Sequence, residues 1–533
     1  MNQTCKNALM ILGTASHVGK SMITAGLGRI FADDGYRVAP FKAQNMSLNS
    51  AATSDGLEIG RAQALQAEAC RILPRVEMNP ILLKPVSDTG AQVVCLGKIW
   101  GDVSARDYHT WRVEQFFPEV LDAYDRLAAN HDLMLLEGAG SPAEINLSDH
   151  DIVNMRMAHA ADAVCLLVGD IDRGGVFASL LGTMELLEPE DRSRIRGFVI
   201  NKFRGDESLL RPGITMIEQR LGLPCIGIVP FVHDLGLDEE DGVALENRLT
   251  VACWKCLESS LARPLRIGVI ALPHMANFTD FDPLALEPAV SLAYLQQPEE
   301  MAGADVVILP GTKQTLDDLE WLKRRGFARE TCRVSALGMP IIGICGGFQM
   351  LGIAIEDPHG IENHGVPVSE NGLGLLPVRT VLRIEKTVRR VSGFLRGNFF
   401  RAGVSKQAPF QGYEIHVGET LYETEASPLT DLQHQGATAP VPDGAVSKSG
   451  YVLGTYVHGF FDCDEFRHDF IRAARAAVNL APATAYVNSN IERNTRMDRL
   501  ARHLRKSLNM RLVKSWIVDP RPHVSENHRG SPA

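Results

Sequence analysis

Short apolar runs rich in β-branched residues alternate with helical patterns along the first part of the chain. The runs lie at residues 8–12, 38–41, 133–136, 163–168, 197–200 and 225–229. Between them, apolar residues recur at helical spacing, for example over 61–73 and 113–127. Strands that alternate with helices form a mostly parallel sheet that is flanked by helices. The pattern therefore predicts a doubly wound α/β domain over residues 1–237.

The alternation weakens after this domain and then begins again. We interpret residues 238–264, which open with an acidic and turn-rich stretch, as a linker. Further buried strands and one helix are predicted at 265–272, 306–310, 317–325 (the helix), 340–344, 374–382 and 451–457. A second doubly wound α/β domain with a mostly parallel sheet is thus predicted over 265–475. Residues 476–533 are predicted to form a tail, helical at 493–508 and polar at its end.

Composition narrows the class of protein. The chain has 533 residues, more than one core usually holds, with 45% hydrophobic and 22% charged residues and a net charge of -10. A nucleic-acid binder usually carries a basic surplus, so we expect no nucleic-acid partner. No apolar run is long enough to span a bilayer, and the N-terminus lacks a signal-peptide cleavage pattern. We therefore expect a cytoplasmic protein without a membrane partner.

A glycine-rich loop follows the first predicted strand. Gly13 and Thr14 open the loop, and Gly19, Lys20 and Ser21 close it at the start of a helical pattern. The loop has one residue more between its glycines than the common phosphate loop. Its backbone N–H groups favour a phosphate anion, the lysine can neutralise phosphate oxygens, and the serine hydroxyl can join a Mg²⁺ shell. The segment predicts an ATP site with Mg²⁺.

Three polar residues end other predicted strands of the same sheet. They are Lys42, Glu137 and Asn201. Ligands of such sheets bind at the carboxyl ends of the strands, so Lys42 is a candidate for nucleotide binding, with a surface lysine as the alternative. We predict that Glu137 holds the metal, in preference to lying as a solvated loop residue. The Asn201 amide is a candidate for contacting adenine.

The second domain carries a cysteine between a predicted strand and a helix. In the segment IIGICGGFQMLG, Cys345 follows an apolar run and has glycines beside it. This is a nucleophile-elbow arrangement, in which small neighbours permit a tight turn at a helix N-terminus. A cysteine nucleophile needs a base, and His458 at the end of a late strand is the candidate. Backbone N–H groups around Gly311 and at Gly346 are predicted to form an oxyanion hole.

These motifs resemble two known families. The phosphate-loop, Lys42, Glu137 and Asn201 motifs resemble the dethiobiotin synthetase-like group of P-loop enzymes, which activate carboxylates as acyl phosphates. The segments around Cys345 resemble the class I (triad) glutamine amidotransferases. In that family the cysteine attacks the glutamine amide, forms a glutamyl thioester and releases ammonia. By this resemblance, Gln349 helps to bind glutamine.

The chain departs from the amidotransferase pattern after its histidine. The family usually follows this histidine with proline and a glutamate that orients the imidazole, whereas His458 is followed by glycine and phenylalanine. Carboxylates elsewhere are the candidates to replace that glutamate. They are Asp462, Asp464 and Glu414. The spacing of these residues does not choose among them.

Longer motifs resemble the cobyric acid synthase family over nearly all of the chain. They are FKAQNMSLNS, GRAQALQA, NPILLKP, SDTGAQV, EGAGSPAEINL, DIDRGGVFA, NKFRGD and GYEIHVG. The resemblance implies a glutamine-hydrolysing carbon–nitrogen ligase of cobalamin biosynthesis. Such a ligase uses ATP and L-glutamine to amidate the b, d, e and g carboxylates of adenosylcobyrinic acid a,c-diamide.

The resemblance also implies residues that face the corrinoid, in the loop after the metal carboxylate. They are Glu144, Asn146, Asp149 and Asp151. From chemistry alone, the same residues fit turn and capping positions equally well. Arg173 in the DIDRGG segment can pair with a substrate carboxylate or phosphate, or lie on the surface as an ordinary arginine.

Two other functions fit the same pair of domains. The sister enzyme that amidates the a and c carboxylates of cobyrinic acid shares both, although the QNMSLNS and SPAEINL runs favour the cobyric acid synthase family. A nonenzymatic ATP switch, like the partitioning ATPases, would carry a degenerate amidotransferase domain as a docking module. Those ATPases usually have an extra lysine where Thr14 stands, and Cys345 and His458 are intact here. The fold alone does not decide among these functions.

Overall fold

The computed structural model describes most of the chain. The described residues are 7–87, 90–232, 261–363, 365–396, 400, 409–434 and 439–517. Most of the predicted linker and the polar end of the predicted tail lie outside these ranges. The predicted fold class is confirmed, because two successive α/β units each contain a parallel-dominated sheet flanked by helices.

The first domain is built on a six-stranded parallel sheet. The strands of the domain are β1 (Asn7–Gly13), β2 (Val38–Phe41), β3 (Gln44–Met46), β4 (Ser50–Ala52), β5 (Glu58–Gly60), β6 (Ile81–Ser87), β7 (Gly90–Cys95), β8 (Lys98–Ser104), β9 (Leu133–Glu137), β10 (Val164–Asp170), β11 (Ile195–Phe203) and β12 (Cys225–Pro230). The order in the parallel sheet is β12-β11-β10-β1-β9-β2. In β1, Leu9 and Ile11 face one apolar cluster while Met10 and Leu12 face another. Burial on both faces explains why these strands are continuous apolar runs.

Helices cover both faces of this sheet. They are α1 (Lys20–Asp33), α2 (Arg61–Ala69), α3 (Ala105–Ala128), α4 (Met155–Ala160), α5 (Val176–Leu186), α6 (Pro189–Arg194) and α7 (Glu207–Leu221). Short 3₁₀ turns lie at Val76–Met78 and Ile145–His150. Two small sheets, which the apolar pattern did not predict, extend the domain: β3-β6-β7-β8 and the β4–β5 hairpin.

The second domain also contains a parallel sheet, with one antiparallel strand at its edge. The strands of the domain are β13 (Leu265–Ile270), β14 (Val290–Leu295), β15 (Val306–Leu309), β16 (Ile341–Ile344), β17 (Ala354–Asp357), β18 (Val368–Asn371), β19 (Val378–Leu395), β20 (Phe410–Tyr422), β21 (Thr430–His434), β22 (Val441–Asp443), β23 (Ala445–Val446), β24 (Val452–Thr455) and β25 (Val457–His458). The parallel sheet has the order β14-β13-β15-β16-β24-β23, and a mixed sheet is built around the antiparallel pair β19–β20.

The helices after β13 belong to the second domain, except for the last two, which pack against the first domain. The helices are α8 (Asp282–Ala285), α9 (Thr315–Arg325), α10 (Phe327–Ala336), α11 (Gly346–Leu351), α12 (Asp464–Ala477), α13 (Ser489–Ser507) and α14 (Met510–Ser515), with 3₁₀ turns at Phe278–Phe281 and Pro298–Gly303. Leu500 and Leu504 of α13 belong to the same buried cluster as residues of α1. Among the described helices, none is both long and apolar enough to cross a bilayer.

Candidate active sites

The glycine-rich loop joins β1 to α1, as predicted. Gly19 precedes α1 with φ 98°, in the left-handed region that glycine adopts without a steric penalty. The ammonium group of Lys20 donates hydrogen bonds to the carbonyl oxygens of Ala15 and Gly140, each at 3.0 Å. The backbone N–H of Thr14 donates to Val168 of β10 at 2.9 Å, which fixes the start of the loop. The lysine therefore lies inside the curve of the loop, where a phosphate would bind.

Glu137 is the centre of the polar cluster beside this loop. Its carboxylate accepts hydrogen bonds from Ser21 Oγ at 2.8 Å and Gln66 Nε2 at 2.5 Å, and it pairs with Lys42 Nζ at 2.9 Å. The carboxylate and both of its amide and ammonium partners are buried. The structure thus brings together three residues that the sequence singled out, and adds Gln66, which lies in the GRAQALQA motif but was assigned no role. Hydroxyl and carboxylate oxygens are the ligands that Mg²⁺ prefers, so Ser21 and Glu137 fit this ion.

Asn201 contacts the glycine-rich loop from β11. Its amide nitrogen donates to the carbonyl oxygen of Val18 at 2.8 Å, and a Cβ added at Gly19 would collide with this amide. The neighbouring Lys202 donates to His17 O at 2.6 Å and pairs with Asp170 at 2.9 Å. These contacts hold the loop against the sheet. The observed bond of the Asn201 side chain is therefore to the loop itself, and contact with adenine stays a prediction.

The loop after Glu137 forms the 3₁₀ turn Ile145–His150, and Glu144, Asn146 and Asp149 are exposed on it. The Asp151 carboxylate accepts the backbone N–H groups of Val153 and Asn154 at 3.0 Å. Asp151 therefore has the turn and capping contacts that were the alternative to corrinoid contact.

Arg173 lies on the loop that follows β10, and its side chain is exposed. Because β10 pairs with β1 in parallel, this loop lies at the same edge of the sheet as the glycine-rich loop. The arginine is thus placed where a ligand of that edge can reach it.

Cys345 occupies the tight turn between β16 and α11, as predicted. Its φ of 52° lies in the left-handed region, which is uncommon for a side chain other than glycine and often marks a functional position. Its backbone N–H donates to Thr455 O at 2.8 Å. A Cβ added at Gly347 would collide with the carbonyl oxygen of Leu309, so the turn requires a glycine there. The elbow therefore places the thiol at the N-terminus of α11.

The imidazole of His458 is held by Asp280. His458 Nδ1 lies 2.6 Å from Asp280 Oδ2, and the N–H of Gly459 donates to Asp280 Oδ1 at 3.0 Å. Cys345 and His458 line the same cavity, and the thiol is close enough to the imidazole to act on its pKa. Burial alone would lower the pKa of His458, but Asp280 and Cys345 outweigh burial and raise this pKa to about 10. Thiol, imidazole and carboxylate thus form a connected set.

The three carboxylates named from the sequence are not the partner of His458 Nδ1. Glu414 pairs with Arg389 at 2.7 Å, and Asp464 pairs with Arg467 at 2.8 Å. Asp462 follows β25, and its backbone N–H donates to Gly459 O. Asp280 was missed because it lies in no local motif. The usable signal was that it follows β13, whose carboxyl end adjoins that of β15, and β15 in turn pairs with the strand β16 that leads to Cys345.

Gly311 and Gln349 lie beside the thiol. A Cβ added at Gly311 would lie 2.9 Å from His458 Cε1 and 3.6 Å from Cys345 Cβ, so only glycine leaves room there. A Cβ added at Gly346 would lie 2.5 Å from Thr312 Cγ2. The Gln349 amide oxygen accepts from Thr315 Oγ1 at 3.1 Å. The predicted glutamine-binding residues are therefore gathered around Cys345.

A cavity of about 560 Å³ opens on the thiol and is bounded by both domains. Cys345, His458 and Lys386 line it from the second domain, and Lys84 and Gln92 line it from the first. The thiol therefore faces a cavity that is lined by both domains.

Comparisons with known proteins cover almost the whole chain. Residues 9–245 match the CobQ/CobB/MinD/ParA nucleotide binding domain, and residues 266–466 match the CobB/CobQ-like glutamine amidotransferase domain. The chain is 50% identical over 472 residues to a cobyric acid synthase of Desulforudis audaxviator, covering 89% of this chain and 91% of the relative. It is 46% identical to one of Photorhabdus laumondii (95% and 97% covered) and 43% identical to one of Moorella thermoacetica (98% and 99%).

The chain belongs to the cobyric acid synthase family. It is therefore a member of a ligase family that joins a nucleotide-binding domain to a glutamine amidotransferase domain. Within the family fold, the phosphate loop with Glu137 and the thiol set with Asp280 are the two sites described above.

Proposed function

We propose that this chain catalyses the cobyric acid synthase reaction, with ammonia taken from L-glutamine. In this reaction ATP drives amidation of the b, d, e and g carboxylates of adenosylcobyrinic acid a,c-diamide through acyl phosphates. The proposal rests on one joint observation. A connected Cys345–His458–Asp280 set and a phosphate loop beside Glu137 occur in one chain that aligns with cobyric acid synthases over nearly its full length.

In the second domain, Cys345 would attack the side-chain carbonyl of glutamine while its proton is held on His458, whose pKa is raised to about 10. Backbone N–H groups near Gly311 and Gly346 would stabilise the oxyanion, and Gln349 would help to hold the substrate. His458 then returns the proton to the departing ammonia, and water hydrolyses the glutamyl thioester to glutamate. Asp280 keeps the imidazole oriented throughout, because it holds Nδ1 at 2.6 Å.

In the first domain, a corrinoid carboxylate would attack the γ-phosphate of ATP and release ADP. Lys20 and Lys42 neutralise the charge of the phosphates, and Gly13, Thr14, Gly19 and Asn201 shape the loop around them. A Mg²⁺ ion held by Ser21 and Glu137 would supply further charge neutralisation. Ammonia then displaces phosphate from the acyl phosphate and leaves an amide.

The corrinoid would bind beside the loop after Glu137. Glu144, Asn146 and Asp149 are exposed there next to Ile145, which is 61% exposed. A mixed polar and apolar surface suits a macrocycle whose rim carries amides and carboxylates. The cavity on Cys345 is lined by both domains, so ammonia released there would enter the first domain directly and avoid protonation in bulk water. Because ATP and glutamine are cytoplasmic metabolites, we propose a cytoplasmic enzyme.

The test is the mass of the product from adenosylcobyrinic acid a,c-diamide, ATP, Mg²⁺ and a nitrogen source. We expect four successive amidations by the wild type with glutamine. Cys345→Ala should lose the reaction with glutamine and keep it with ammonium. Cys332→Ala, which changes a half-buried thiol outside the site, is the matched control and should keep both reactions.

An unchanged corrinoid mass, with folding and ATP binding intact, would rule out this substrate. Amidation of cobyrinic acid at its a and c carboxylates would then identify the sister reaction. Retention of glutamine-dependent amidation by Cys345→Ala would rule out the proposed nucleophile.

A further inference from the structure

The two domains share a buried contact at the backbone of Ser50, the first residue of β4. The N–H of Ser50 donates to Asn277 Oδ1 at 2.8 Å. Its carbonyl oxygen accepts the hydroxyl of Tyr413 at 3.0 Å. All three residues are buried. One peptide segment of the first domain is therefore held by two side chains of the second domain.

Both of these residues also contact the residues that carry glutamine hydrolysis in the proposed mechanism, Asn277 through its backbone and Tyr413 through its ring. The carbonyl oxygen of Asn277 accepts the N–H of Asp280 at 3.0 Å. The ring of Tyr413 stacks on the imidazole of His458, with 5.5 Å between centroids and 21° between planes. Since Asp280 holds His458 at 2.6 Å, the contacts close a circuit through Ser50, Asn277, Asp280, His458 and Tyr413. We call this circuit the Ser50 ring.

The backbone of Asn277 depends on its contacts. Its φ of 53° lies in the left-handed region, where asparagine is among the few side chains that are tolerated. Such a conformation persists where surrounding contacts determine it. At Asn277 one of those contacts, the N–H of Ser50, comes from the other domain. The start of the 3₁₀ turn that carries Asp280 is thus fixed partly by domain docking.

The hairpin that bears Ser50 is anchored independently. Glu58 of β5 pairs with Lys386 of β19 at 2.6 Å and with Lys84 of β6 at 2.5 Å, and all three side chains are buried. Ser50 and Gly60 are direct partners in the β4–β5 ladder. Because the buried Glu58–Lys386 ion pair ties β5 to the second domain, and β4 pairs with β5, Ser50 is held in place against the second domain.

We propose that Asn277 and Tyr413 are positioning residues for glutamine hydrolysis, and that the docked backbone of Ser50 completes their arrangement. The inference rests on the proposed glutaminase activity. A histidine base works only when its ring presents the correct nitrogen to the nucleophile, and a displacement of about 1 Å can cost about a hundredfold in rate. Asn277 acts on the ring through Asp280, and Tyr413 acts by stacking.

The test uses two variants of the full chain that each remove one bond to Ser50. Tyr413→Phe removes the hydroxyl and keeps the ring over His458. Asn277→Gly removes the amide and keeps a residue that tolerates positive φ. Tyr422→Phe is the matched control, because its hydroxyl donates to Gly444 O at the same 3.0 Å within the second domain.

For both Ser50-ring variants, we expect kcat for glutamine hydrolysis to fall about tenfold to a hundredfold. KM for glutamine should change much less, because neither side chain is predicted to hold the substrate. The limb of the pH profile that belongs to His458 should move to lower pH, since a looser contact with Asp280 stabilises the imidazolium less. Ammonium-dependent amidation should remain at the wild-type rate.

Two results would overturn the inference. One is that Tyr413→Phe and Asn277→Gly hydrolyse glutamine as fast as Tyr422→Phe and with the wild-type pH profile. The other is that glutamine-dependent and ammonium-dependent reactions fall together, which indicates a general structural role. Failure of the proposed glutaminase activity is distinguishable from both, because the wild type itself would then release no glutamate from glutamine.

Discussion

Asp280 lies 178 residues before His458 in the chain, yet its carboxylate is the group that holds the imidazole. One carboxylate oxygen lies 2.6 Å from His458 Nδ1, and the other accepts the N–H of Gly459. Both the ring and the backbone beside it are therefore fixed by the same side chain. Asp280, which lies near the start of the domain, thus occupies the position beside His458 Nδ1 that a glutamate close after the histidine fills in the usual amidotransferase pattern.

Asp280→Asn should reduce kcat for glutamine hydrolysis by about 10²- to 10⁴-fold, because the amide no longer stabilises the imidazolium or selects the correct ring tautomer. Ammonium-dependent amidation should be unaffected. Parallel assays with the two nitrogen sources measure this split. Equal glutamine-dependent rates in variant and wild type would contradict the role of Asp280.

The same pair makes stability depend on pH. The folded chain raises the pKa of His458 from 6.5 to about 10, so folding favours the protonated ring. The resulting stabilisation is fully present below pH 6.5 and is lost as the pH rises through about 10. The difference in free energy of unfolding between wild type and Asp280→Asn should therefore shrink over that range. Urea unfolding at several pH values measures it, and a constant difference would contradict the raised pKa.

Local motifs predicted some site residues and missed others for a physical reason. Glu137 and His458 each end a strand and Cys345 directly follows one, so their positions follow from neighbours in sequence. Gln66 lies within α2, where the GRAQALQA motif gives it no role of its own, and Asp280 lies in a short 3₁₀ turn that no local pattern marks. Their partners are chosen by the packing of distant elements, which spacing alone does not encode.

At the scale of elements, the β4–β5 hairpin links the two domains through one buried carboxylate shared by two lysines. Glu58 pairs with Lys84 within its own domain and with Lys386 of the other. Burial lowers the pKa of Lys386 to about 7, although Glu58 opposes the shift. The cluster therefore has two lysines and one carboxylate. Because the pKa of Lys386 is about 7, this lysine readily loses its proton near neutral pH.

Glu58→Gln and Lys386→Met should differ strongly in stability. Removing Glu58 leaves two buried lysines without a counter-charge, which should cost about 3–5 kcal/mol of unfolding free energy. Removing Lys386 leaves the Glu58–Lys84 pair and an apolar side chain, so the loss should be about 1 kcal/mol or less. Urea unfolding at pH 7 compares them. Equal losses would contradict the shared-carboxylate arrangement.

Most of the strands that the sequence predicted belong to the parallel sheets, although β14 was missed. They are buried on both faces and so appear as unbroken apolar runs. By contrast, β8 has six of its seven residues exposed or half-buried, and β19 was predicted only in its first part. Strands of these antiparallel sheets contact solvent along part of their length and carry polar residues at the exposed positions. They therefore do not appear as apolar runs in the sequence.

At the scale of the whole molecule, α13 crosses back from the second domain to cover α1. Arg29, which is buried in α1, pairs with Asp498 at 2.8 Å and donates to Asn494 Oδ1 at 2.6 Å. A Cβ added at Gly26 would collide with Leu504, so the two helices approach closely there. The core that supports the phosphate loop is therefore completed by a later segment of the chain.

Leu504→Ala should destabilise the first domain by about 2–5 kcal/mol, because Leu504 is 1% exposed and its removal leaves a cavity. Ile491→Ala on the same helix is the control, since Ile491 is 67% exposed and should cost about 0.5 kcal/mol or less. Thermal unfolding with and without ATP measures both. Equal effects would mean that α13 contributes little to the first domain.

The return of α13 to α1 bears on how the protein is made. A ribosome releases the residues of α1 long before those of α13, so the nascent first domain emerges with Leu27 and Ile30, which belong to the same cluster as Leu500 and Leu504, partly uncovered. That apolar face stays open while the whole amidotransferase domain is translated. The first domain is thus expected to reach its final stability after the second has emerged, and an interrupted translation product would present an aggregation-prone surface to chaperones and proteases.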